Sequence, residues 1–79
     1  MSGTLRTYVA LSIKKIRKKR NLSQEALAYK ANLDRTYISG VERGVRNITL
    51  DSLEQIVIAL DMDIPTFLSE VYHELYNKP

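Results

Sequence analysis

The sequence predicts an all-α fold of five helices. Breakers are few: 79 residues hold three glycines and two prolines, and Gly3 and Pro79 sit at the ends. Apolar residues recur at three- and four-residue spacings over long stretches. Ser, Thr or Asp stands just before four of those stretches, where helices take their N-caps.

The first helix spans about Thr4 to Arg20. Leu5, Val9, Ile13 and Ile16 form one apolar stripe, and Lys14, Lys15, Lys18, Lys19 and Arg20 crowd its last turns, where cations suit the helix dipole. Asn21 ends it, because asparagine tolerates the left-handed conformation. Ser23 caps a second helix that carries Glu25 in its first turn and runs to about Ala31, with Leu27, Ala28 and Ala31 inward. After the short turn Asn32-Leu33, Asp34 caps a third helix from Arg35 to about Arg43, closed by Gly44. The loop Val45 to Ile48 leads to Thr49, the cap of a fourth helix over Leu50 to Leu60 whose inner face is Leu53, Ile56, Ala59 and Leu60. Asp63 caps a fifth helix, to about residue 76, with Pro65 in its first turn and Phe67, Leu68, Val71 and Leu75 as its stripe. Asn77, Lys78 and Pro79 are expected to fray.

Composition excludes several classes of function. There is no cysteine and one histidine, His73, so thiolate and multi-histidine metal sites are ruled out. No Gly-rich phosphate loop and no paired carboxylates in an evident cleft appear, which argues against an enzyme and against any cofactor. The longest apolar run, Ile56 to Leu60, is far below the roughly 20 residues that span a bilayer. Met1-Ser2-Gly3 leads into polar sequence rather than a signal peptide, so a cytoplasmic protein is expected, with neither a membrane nor a small-molecule partner. The lysine-rich first helix has the composition of a membrane-surface helix, but its apolar stripe is required by the core.

Charge is unevenly spread. Residues 1–46 carry eleven of the twelve Lys/Arg against three acids, a balance of +8; residues 47–79 carry Lys78 against six acids, a balance of −5. The basic part is suited to a polyanion. It also contains two short helices joined by a tight turn, the spacing of a helix-turn-helix. Ala28 is small where the helices cross, Asn32 takes the turn position that needs positive φ, and Leu27, Leu33, Ile38 and Val41 wedge the two helices apart.

Two segments, Leu22-Ser-Gln-Glu-Ala-Leu-Ala28 and Leu33-Asp-Arg-Thr-Tyr-Ile-Ser-Gly-Val-Glu-Arg-Gly44, resemble the lambda-repressor-like DNA-binding domains of the Cro and phage-repressor type. The resemblance runs from Ile13 to Leu60. Within that family the run Asp34 to Asn47 and the small total length resemble restriction–modification controller proteins. The chain departs from the family at Asn32, where glycine is usual, and at Asp61, where glycine often ends helix four.

The resemblance implies that helix three enters the major groove of an operator with its N-terminal residues toward the bases. Arg35 is placed to donate two hydrogen bonds to a guanine edge. Thr36 and Ser39 share a face and touch a base or a phosphate. Tyr37 either presses on a sugar or thymine methyl or belongs to the core. Gly40, in mid-helix, marks close approach either to DNA or to a neighbouring element. Gln24 opens helix two, whose N-terminus suits a phosphate, and the matching glutamine of the family makes that contact. Arg43, Arg46 and Asn47 are expected to hold the DNA backbone. The family also implies a partly buried ion pair between Arg17 and Glu42 that orients helix three.

One such module reads only a few base pairs, so two copies on a palindrome are expected, with half-sites about 34 Å apart. Ile64, Phe67, Leu68 and Val71 supply the expected homodimer interface, with part of helix four. By resemblance, the function is a transcriptional regulator of its own gene and an endonuclease gene, activating at low dose and repressing at high dose, with RNA polymerase as a further partner. A phage-type repressor or antitoxin-like autorepressor is the alternative.

Overall fold

The computed structural model describes residues 4–77. They form α1 Leu5–Lys19, α2 Gln24–Ala31, α3 Arg35–Glu42, α4 Leu50–Ala59 and α5 Ile64–Tyr76, with no strand among the described residues. Lys78 and Pro79, expected to fray, lie outside them.

Helix starts are set by side chains. Thr4, Ser23, Thr49 and Asp63 each accept a hydrogen bond from the backbone N–H three residues on. Asp34 holds the equivalent place before α3, but its carboxylate makes no capping bond. The first four helices end alike. Asn21, Asn32, Gly44 and Asp61 have φ of 59°, 59°, 74° and 58°. In each turn the next residue's N–H returns to the last full turn of the helix: Leu22 to Arg17, Leu33 to Ala28, Val45 to Gly40 and Met62 to Val57. Asp61 therefore performs the chain reversal for which the resembled family often uses glycine, and α4 stops at Ala59. The helices end one residue earlier than the periodicity suggests, at Lys19, Glu42 and Ala59, because Arg20, Arg43 and Leu60 are half-in cap residues.

The core is a single cluster. Val9, Ile13 and Ile16 of α1 meet Leu27, Ala28 and Ala31 of α2, Ile38 and Val41 of α3, Ile56, Val57, Ala59 and Leu60 around α4, and Phe67 and Val71 of α5. The α1 stripe predicts Leu5 inward; it is instead exposed, lining a surface groove with Ile48, Leu50 and Leu53. Val57, absent from the expected α4 face, is fully buried, while Leu53 only borders the cluster.

Polar ties between helices fix their relative positions. Arg20 Nε donates to the Leu60 carbonyl at 2.7 Å, and Gln55 Nε2 donates to the Ala31 carbonyl at 2.9 Å. Each satisfies an orphan carbonyl at the end of a helix other than its own. The lysine run remains outside: Lys14, Lys18 and Lys19 are exposed, and Lys15 pairs with Glu74 at 2.7 Å.

Candidate nucleic-acid interface

The surface of α3 is divided sharply. At 100° per residue, Arg35, Thr36, Ser39 and Arg43 fall within an arc of about 100°. Arg35, Thr36 and Arg43 are exposed and Ser39 partly so, and none of their side chains forms a hydrogen bond or ion pair among the described residues. The opposite side, Ile38 and Val41, is buried in the core. The donors of this arc are thus held on one helix with no partner among the described residues.

Tyr37 stands apart from that arc. Its ring packs against the core cluster and its hydroxyl is buried without a hydrogen-bond partner among the described residues. The Arg46 guanidinium lies over the ring, 4.8 Å from its centroid, in a cation–π contact. Of the two readings left open for Tyr37, its position matches the half-buried core residue. Gly40 is also explained. A Cβ there would come within 3.3 Å of Arg46 Cβ, so the glycine lets the α3–α4 loop pack on the helix.

Orientation of α3 comes from a buried network at its far end. Glu42, whose side chain is 2% exposed, accepts from Arg17 Nε at 2.6 Å and from Arg17 Nη2 at 3.0 Å. Arg17 also donates through Nη1 to the Leu22 carbonyl at 2.8 Å. Gln24 Nε2 donates to the same Glu42 carboxylate at 3.1 Å. A planar guanidinium clamped in this way ties α1, the turn before α2 and the end of α3 to one another. Gln24 is thereby tied back to the protein, with its second amide hydrogen left to donate outward.

Beyond α3, the loop brings up Arg46 and Asn47, both exposed. Asn47 Oδ1 accepts a hydrogen bond from Arg6 Nη1 across the surface. Sequence reasoning leaves Arg6 out. Its one signal is a cation in the first turn of α1, a turn that contains no acid and where the dipole disfavours positive charge.

Helix α5 presents two faces. Phe67 (1% exposed) and Val71 (4%) close the chain's own core, so they are not available to a second copy as expected. Ile64, Leu68 (55% exposed) and Tyr72 face outward, as does Ile58 of α4. Among the described residues, no helix is long and apolar enough to cross a membrane.

Comparison with known proteins shows the family and the fold. Residues 13–67 match a family model described as helix-turn-helix. The control protein C.BamHI of Bacillus amyloliquefaciens is 46% identical over 61 residues, which cover 76% of this chain and 75% of that protein. A Y37F mutant of the restriction–modification controller protein C.Esp1396I superposes with a TM-score of 0.95 at 43% identity, over 100% of both chains. The C.Esp1396I tetramer in complex with its natural 35-base-pair operator matches with a TM-score of 0.90 at 46% identity, over 92% of this chain and 96% of that one.

Proposed function

Since the chain belongs to the helix-turn-helix family, and within it to the restriction–modification controller proteins, we propose that it binds palindromic operator DNA as a homodimer and regulates transcription of its own gene and of an endonuclease gene. The observation that carries this is the unpaired arc of donors on α3. Arg35 reads a guanine edge, and Thr36 and Ser39 contact bases or phosphates beside it. Tyr37 serves mainly to hold Arg46, from the edge of the reading face. Gln24, Arg43, Arg46 and Asn47 grip the backbone on either side and set affinity without sequence information. The Arg17–Glu42 clamp holds α3 at the angle the groove requires.

The dimer interface is the outer face of α5, Ile64 and Leu68, extended by Tyr72 and Ile58. Support comes from the exposure of these apolar residues on the acidic half of the chain, away from the basic reading face. The chain acts in the cytoplasm, where operator and RNA polymerase are found, and we assign it no catalytic role. A first dimer on a high-affinity site activates by contact with the polymerase, and further copies on adjacent sites repress.

Transcription in vitro from the DNA upstream of the gene tests this reading. Output is expected to rise and then fall as the chain is added, and to stay flat with Arg35→Ala. Output unaffected by the wild-type chain at any dose contradicts it.

A further inference from the structure

We propose that Arg6 is a positioning residue for DNA binding: it holds the side-chain carbonyl of Asn47 so that the amide NH2 is presented to a phosphate. The inference rests on the operator-binding reading given above. An asparagine side chain offers a carbonyl that accepts and an NH2 that donates, whereas a phosphate only accepts. An asparagine turned the wrong way would set its carbonyl against the phosphate. Arg6 has no acceptor, so its bond to Asn47 fixes the amide orientation, with Oδ1 toward Arg6 and Nδ2 on the opposite side.

Two further observations place this contact outside ordinary fold stabilisation. Both side chains are exposed, and an exposed pair adds little to stability. The arginine also sits in the first turn of α1, against the helix dipole, with no acid in that turn to offset it. Local preferences broken without structural return are characteristic of functional positions. Two other side chains of the loop have anchors of their own. Arg46 lies on Tyr37 and Gly40, and Ile48 packs on the core cluster. Asn47 has Arg6.

The test is a double-mutant cycle, read by fluorescence anisotropy with a duplex from upstream of the gene as probe. Arg6→Met removes the donors and the charge but keeps the stem. It is expected to weaken binding about five- to tenfold with an unchanged melting temperature, about the effect of losing one ordinary hydrogen bond. Asn47→Ala is expected to weaken it similarly, and the double variant no further than Asn47→Ala alone. Arg6→Lys, which keeps a donor, is expected to restore part of the loss. In the free chain, the Asn47 side-chain amide resonances are expected to move with Arg6→Met. Losses that multiply in the double variant would make Arg6 an independent phosphate contact and overturn the proposal. Wild-type binding matched by Arg6→Met overturns it alone, whereas a wild-type chain that binds no duplex overturns the DNA reading as well.

Discussion

Glu42→Gln isolates the clamp that orients the recognition helix. The substitution keeps the shape of the side chain and removes its charge. In the parent, the carboxylate accepts three hydrogen bonds, two from Arg17 and one from Gln24, in a site where Glu42 is 2% and Arg17 10% exposed. A glutamine carbonyl replaces one oxygen only. Its NH2 then faces donors, and Arg17 keeps the Leu22 carbonyl and one bond to the glutamine carbonyl. Breaking a buried pair by removing one member costs about 3–5 kcal/mol, because the other charge stays desolvated and unpaired. The surviving bonds place this variant at the low end, about 3 kcal/mol. A chain of 79 residues has a total stability of about 4–12 kcal/mol, so the loss is a large fraction of the whole. Urea unfolding followed by circular dichroism, at fixed protein concentration because a dimer's stability depends on it, reads the difference. The double variant Arg17→Met with Glu42→Leu removes both charges and is expected to recover most of the stability. A Glu42→Gln chain within about 0.5 kcal/mol of the parent would refute the reasoning, since the pair would then be no more than a surface contact.

Four other outcomes follow from particular side chains. Phe67→Ala is expected to cost about 3–5 kcal/mol in urea by opening a cavity in the core, while Leu68→Glu keeps the fold and dissociates the dimer in sedimentation equilibrium; a Leu68→Glu chain that sediments as a dimer contradicts the assigned interface. Tyr37→Phe removes a buried hydroxyl that has no partner among the described residues and is expected to raise stability by about 1 kcal/mol, so a loss in urea unfolding would mean that the hydroxyl is bonded in solution. The hydrogen bonds from Thr66 to the Asp63 carboxylate hold its pKa below the ordinary 3.8, so its contribution to stability is complete above that value and disappears as pH falls through the lowered one. Melting curves of Asp63→Asn are expected to lie below wild type at pH 6 and to converge with it in strong acid; a gap that persists at low pH excludes the carboxylate as its source.

Local chemistry made the helix ends legible. Ser23, Thr49 and Asp63 cap as their side chains require, and Asn32 takes positive φ in the turn between α2 and α3. Apolar periodicity was less decisive where a helix is apolar on two sides. In α5, residues 64, 67, 68, 71, 72, 75 and 76 are all apolar or aromatic, and their spacing does not say which stripe faces the chain's own core. Packing selects Phe67 and Val71 and leaves Leu68 outside. The same limit applies to Leu5, which continues the α1 stripe and yet lies exposed at a surface groove. Gly40 was ambiguous because its neighbour, Arg46, lies in a loop whose path depends on the whole fold. Long-range polar pairs were least legible. Arg17 and Glu42 came from family resemblance, and Arg6 with Asn47 joins segments 41 residues apart that no local pattern connects.

The central claim is that this chain binds one DNA sequence through α3. It is tested most directly by fluorescence anisotropy at about 150 mM salt, with a duplex from upstream of the gene and a shuffled duplex of equal length. The account predicts tight binding to the first alone, lost on Arg35→Ala and weakened steeply by added salt. Equal, weak binding to both duplexes, unchanged by Arg35→Ala, would contradict it.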